Sequence, residues 1–217
     1  MISSILLLVG TGITSFISAC CAIMLADSHV NTRVKYKQWK GWIALPLIAA
    51  ILGCALAYHV SIFAPSILVV VGLCVAYVFV VAAAIYDFKL QLIPNAIPLA
   101  IVGIRILFII AEQIIYGDAV IGFMYSFVGG AVGFLVLYVA GRLSKGGIGG
   151  GDIKLVAALG FLCGFRAMFT TLTLALLVCA LFSIPYVIAK KERLSDSLPF
   201  GPFIYVGFIF MLLLHLY

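Results

Sequence analysis

Apolar segments long enough to cross a lipid bilayer follow one another along nearly the whole chain, and no other feature limits its possible folds so strictly. A helix needs about 20 apolar residues to traverse the roughly 30 Å hydrocarbon core. On that rule eight spans are expected, near 3–25, 42–58, 66–86, 96–111, 120–141, 153–168, 170–189 and 199–217. Each should be helical, because backbone polar groups in lipid must be satisfied within the segment itself. Composition closes the other route. Of the 217 residues 66% are hydrophobic and 9% charged, against about 45–50% apolar and about 25% charged in soluble domains. A compact globule of this chain would offer water too little polar surface. The expected fold is an all-α polytopic transmembrane helix bundle of about eight spans, forming a single domain over 1–217 in the lipid bilayer.

The polar remainder sets orientation. Net charge is +6, which alone would suggest nucleic acid, but the basic residues sit between apolar segments rather than along one face. Arg33, Lys35, Lys37, Lys40, Lys89, Arg142, Lys145, Lys154, Lys190, Lys191 and Arg193 share one side, read as cytoplasmic by the positive-inside rule. Glu112, Asp118 and Arg166 fall on the other. Both termini are then expected outside the cytoplasm. The N-terminus Met1-Ile2-Ser3-Ser4 lacks the basic region of a cleavable signal, so the first segment reads as a retained helix. No nucleic-acid motif is present. Cys20, Cys21, Cys54, Cys74, Cys163 and Cys179 all lie in apolar stretches with no Cys-x-x-Cys pair, so no metal, disulfide or cofactor is expected. Gly129 and Gly133 form a small-x-x-x-small pair that lets helices approach closely, and Gly103 and Gly122 are read the same way. Arg105 falls inside the fourth span. Glu112, two turns further on, reads as too distant for a simple pair.

Two acids stand apart from this pattern. Asp87 closes the third span in Tyr86-Asp87-Phe88-Lys89-Leu90-Gln91-Leu92-Ile93-Pro94-Asn95, and Pro94 suits the first turn of the next helix. Asp152 follows the run Gly146-Gly147-Ile148-Gly149-Gly150-Gly151 and opens a helix. Glycine there permits close approach of another chain. Two whole spans separate the acids, so both should lie at one depth on the cytoplasmic side. Two carboxylates sharing a proton can hydrolyse a peptide. Like charges a few Å apart cannot both ionise, so one acid takes a proton from water while the other polarises the scissile carbonyl. Taken singly, Asp152 could be a helix cap and Asp87 an interfacial charge. Their conjunction is what points to chemistry.

Gly149-Gly150-Gly151-Asp152 fits the Gly-x-Gly-Asp motif of intramembrane aspartyl proteases, extended here by Ile153-Lys154-Leu155. Together with Asp87…Ile93-Pro94-Asn95 and Leu198-Pro199-Phe200-Gly201-Pro202-Phe203, it resembles the type IV prepilin peptidase family over roughly 66–217. The first 65 residues match loosely, as degenerate N-terminal spans before a catalytic core. The resemblance implies an endopeptidase of the bacterial inner membrane that cleaves prepilin or pseudopilin leaders after a glycine, facing the cytoplasm. It implies Asp87 and Asp152 as the catalytic pair, with Tyr86, Pro94, Gly149, Gly151, Lys154, Pro199, Gly201 and Pro202 supporting the site or the substrate. Pro199 and Pro202 read equally well as a helix start.

Larger family members carry a cytoplasmic domain with paired Cys-x-x-Cys motifs, associated with N-methylation. Here the first loop is short and has no cysteine, and Ser28-His29 is its only reminder. A short-form, peptidase-only enzyme is therefore expected. Presenilins and signal peptide peptidases share the aspartate motifs but place them on consecutive helices. The competing reading from another class is a proton-coupled transporter or channel using the acids as a relay. No inverted repeat supports it. The sixth span is short, with about eleven residues from Ile153 to Cys163 before Gly164-Phe165-Arg166. Either Arg166 snorkels and the helix runs on, or Asp152 is inset from the membrane surface; the inset site is the expectation.

Overall fold

A computed structural model describes residues 10–21, 44–64, 66–117, 119–144, 147–190 and 199–217. The expectations placed on Ser28-His29, on Arg33 to Lys40, on Asp118, on Lys145 and on Lys191 and Arg193 lie outside the described residues. Helices account for the fold: α1 (Gly10–Cys21), α2 (Ala44–Phe63), α3 (Ile67–Leu90), α4 (Ala96–Tyr116), α5 (Ala119–Leu143), α6 (Gly150–Lys190) and α7 (Gly201–Leu213). Among the described residues five helices are long and apolar enough to cross a membrane, with α1 and α7 as shorter apolar helices. The polytopic helical bundle expected from hydropathy is what the chain forms.

Most boundaries shift outward by about a turn. α3 continues to Leu90, so Asp87 lies inside its last turn rather than closing it. α4 runs to Tyr116, and Pro94 precedes it in the loop, leaving Pro98 in the first turn. The largest difference is at α6. The stretches on either side of Gly164 are helical, but that residue has φ 84° and ψ 174°, a conformation open essentially to glycine alone. The chain reverses there. A Cβ on Gly133 of α5 would lie 3.3 Å from both Val156 Cγ1 and Met168 Sδ, one on each side of Gly164. In a straight helix those two residues would be about 18 Å apart. The sixth and seventh expected spans are therefore two antiparallel arms, 150–163 and 165–190, turning four residues before Met168. The helix does not run on through Arg166.

Close approach of α5 to the first arm rests on glycine. A side chain on Gly129 would meet the carbonyl of Gly160, and one on Gly160 the carbonyl of Gly129. Gly133 lies 3.1 Å from the Val156 carbonyl by the same measure, so the Gly129/Gly133 pair packs as expected. Gly103 faces open space and does not. α3 is the central helix, with 56% of its membrane window buried, whereas α4 has 6% and lies at the periphery. The core around α3 closes on Tyr77, whose hydroxyl donates to Ala49 O at 2.8 Å and shares a hydrogen bond with Tyr205 at 3.1 Å.

Arg105 finds the partner that two-turn spacing had ruled out. Its guanidinium is bidentate on Glu112, at 2.7 and 3.2 Å, and also donates to Ser126 Oγ at 2.6 Å and Gly122 O at 3.2 Å. The error lay in measuring between backbones. Both side chains are long enough to close two helical turns when α5 supplies further acceptors. Gly122 leaves the space, since a Cβ there would strike the Glu112 carboxylate.

Candidate active site

Asp87 is delivered by the buried end of α3, where Val80 to Ala84, Tyr86 and Asp87 are all buried. The helix stops one turn later because Gln91 turns left-handed, at φ 50° and ψ 35°, with its N–H on the Asp87 carbonyl. The side chain then reaches across to α7. Asp87 Oδ2 accepts the Gly201 N–H at 2.6 Å, and the Phe200 N–H beside it also favours the charged carboxylate. These are orphan donors of a helix start, and Phe200 offers no side-chain cap of its own. An anion placed there is favoured both by the N–H groups and by the helix dipole. Asp87 is thus the cap of a helix more than a hundred residues downstream. Gly201 must be small: a Cβ would sit 2.8 Å from Asp87 Cβ.

Asp152 is held differently. α6 begins at Gly150, so Asp152 is in its first turn rather than ahead of it. Its carboxylate accepts the Gly149 N–H, while its own N–H returns to Gly149 O at 3.1 Å. That is half of a capping box, in which the acid three residues in satisfies the N-cap donor. The plain capping role is therefore real, yet it occupies one oxygen. The other, Oδ1, is buried and has no hydrogen-bond partner among the described residues. Asp87 is 5% exposed and Asp152 9%, and the Asp87 charge is near enough to act on Asp152. The C-terminal end of α3 and the N-terminal ends of α6 and α7 meet at one end of the bundle.

The supporting residues divide. Gly149 and Gly201 each donate a backbone N–H to one of the two carboxylates. Gly151 lets the loop before α4 approach, since its Cβ would be 3.0 Å from Ile93 Cβ. Gly150 faces open space, which gives the free position of Gly-x-Gly-Asp a physical meaning. Lys154 is exposed and donates from Nζ to Asn95 Oδ1 at 2.9 Å. Pro202 lies in the first turn of α7 and Pro199 in the half-buried approach to it, the helix-start role. Pro94 offers its carbonyl to Ile97 N–H at 3.1 Å, shaping the turn into α4. Tyr86 is buried in the hydrophobic core beside Asp87 in sequence. Sequence reasoning assigned no role to Asn95 or to the Phe200 N–H. An asparagine before a helix reads as a cap, and a backbone donor carries no signature.

An integral membrane helix bundle with two buried, neighbouring aspartates at one end defines the class of protein. A family model described as the type IV leader peptidase family matches residues 74–184, and the chain belongs to that family. It is similar to a prepilin leader peptidase/N-methyltransferase of Escherichia coli K12, 30% identical over 86% of this chain and 80% of the relative. The leader peptidase HopD of Salmonella typhimurium is 30% identical over 60% of this chain and 85% of the relative. A prepilin leader peptidase/N-methyltransferase of Bacillus subtilis is 32% identical over 59% of this chain, which spans 50% of that relative's length. No solved structure matches the chain.

Proposed function

We propose that the chain is an aspartyl endopeptidase of the bacterial inner membrane that removes the leader of type IV prepilins or pseudopilins, after a glycine, on the cytoplasmic side. The observation that carries this reading is the pairing of Asp87 and Asp152, both buried, with the Asp87 charge acting on Asp152 and one Asp152 carboxylate oxygen uncommitted. Asp87 accepts the Gly201 N–H, has the Phe200 N–H beside it, and is the member suited to carry negative charge. Asp152 then holds the shared proton. Asp87 takes a proton from water as the oxygen attacks the scissile carbonyl carbon, and Asp152 gives its proton to the carbonyl oxygen. Collapse of the tetrahedral intermediate breaks the C–N bond, returns a proton to Asp152 and transfers the one held by Asp87 to the leaving amine. One water is consumed and the pair is restored. The catalytic core of this reading is 66–217, with Gly149, Gly151 and Gly201 fixing the acids and Pro199 and Pro202 shaping the approach beside them.

The test is co-expression with a type IV prepilin whose leader ends in glycine. A shortened product is expected from the wild-type chain, and none from Asp87→Ala or Asp152→Ala, with membrane insertion retained in both. Full processing by either variant removes that aspartate from the mechanism.

A further inference from the structure

Asn95 occupies the N-cap position of α4, where an asparagine side chain ordinarily accepts a hydrogen bond from the first turn of its own helix. Here it makes no such bond. Its Oδ1 instead accepts from Lys154 Nζ at 2.9 Å, on a different helix and 59 positions away. A favoured local contact has been given up for a distant one. A second contact lies beside it: Ile93, two residues earlier, is buried against Gly151 so closely that a Cβ there would be 3.0 Å from Ile93 Cβ. Both contacts join the loop after Asp87 to the start of the helix that carries Asp152, between Gly151 and Lys154. Lys154 follows Asp152 by two residues, which turns its side chain away from the carboxyl and towards α4.

We propose that Asn95 and Lys154 form a clasp across the two aspartate-bearing segments and are positioning residues for the Asp87–Asp152 pair, an inference that rests on the peptidase reading. α3 ends at Leu90, only a few residues short of the clasp, while α6 begins at Gly150. The loop 91–95 is thus a covalent extension of the Asp87 helix that is pinned on the Asp152 helix close to both acids. Releasing it lets the two acids drift apart, and misplacement by about 1 Å at a reacting centre can lower turnover by about a hundredfold. The clasp touches neither carboxyl, so its effect is on turnover and not on substrate affinity.

A double-mutant cycle reads this. Lys154→Met, Asn95→Leu and the double variant are assayed on a purified type IV prepilin in detergent micelles, beside Lys154→Arg, which keeps the donor. Each single variant should lose about tenfold or more in kcat with KM within about twofold, and the double should be no worse than either single. Lys154→Arg should retain most activity. Asn95→Leu leaves the ammonium in place, so an effect of charge alone would spare it and overturn the clasp. Additive losses, or a change confined to KM, would overturn it too. Hydrogen exchange of peptides covering 91–95 supplies a second readout that needs no substrate: it should quicken in Asn95→Leu and Lys154→Met, and unchanged exchange rejects the clasp whatever the cleavage result. Wild-type cleavage, lost in Asp87→Ala, is the control for the peptidase reading itself. If that control passes and the cycle is additive, the clasp alone is wrong.

Discussion

At the scale of single residues, the glycines near the acids are not equivalent. Gly201 faces Asp87 at a distance no Cβ could share, whereas Gly150 faces open space. Gly201→Ala should push the start of α7 away from Asp87, remove its N–H donor and lower prepilin cleavage at least tenfold, which corresponds to about 1.4 kcal/mol of barrier. Gly150→Ala should leave cleavage within about twofold, since alanine is the better helix former at an unobstructed position. Side-by-side rates for the two variants test this, and equal losses would show that the glycine run acts through general flexibility instead. The motif reading of the sequence had marked both flanking glycines and left the middle one free. What it could not supply was the partner of each, because Asp87 meets Gly201 only through the folded chain.

At the scale of elements, α4 and α5 are joined by a polar cluster on an otherwise apolar surface. Arg105, with its side chain 11% exposed, and Glu112, at 21%, neutralise each other, and Ser126 and the Gly122 carbonyl take up further donors. Removing one partner leaves the other charged and poorly solvated, which in buried pairs destabilises by about 3–5 kcal/mol. Arg105→Met should therefore lower the thermal unfolding midpoint in detergent, and Arg105→Met with Glu112→Met together should recover most of the loss. A double variant as unstable as the single would assign the effect to packing. This pair was illegible in the sequence because seven-residue spacing on a helix says nothing of what a neighbouring helix contributes. The existence of each span was legible, since apolar length alone decides it. The reversal at Gly164 was half legible: the short run from Ile153 to Cys163 signalled a truncated helix, but a glycine's backbone angle is not written in its neighbours.

At the scale of the whole molecule, the first arm of α6 sets the depth of the site. Residues 150–163 make about 21 Å of helix, against a hydrocarbon core of about 30 Å. With the Gly164 turn at the far boundary, Asp152 would lie well inside the near one, on the side proposed to face the cytoplasm. A cysteine placed at Ile153, in a background free of the native cysteines, should react with a membrane-impermeant thiol reagent added from the cytoplasmic side. Complete protection in the folded protein would move the acids to the surface or seal them from water.

The order of synthesis gives the Asp87–Gly201 contact a further meaning. Asp87 leaves the ribosome long before the backbone donors that hold it. A nascent chain arrested ahead of residue 200 would insert most of its helices and carry both acids, yet lack the start of α7 that steadies one of them. On the peptidase reading, competence to cleave waits until residues 200 and 201 have emerged and α7 has begun to form.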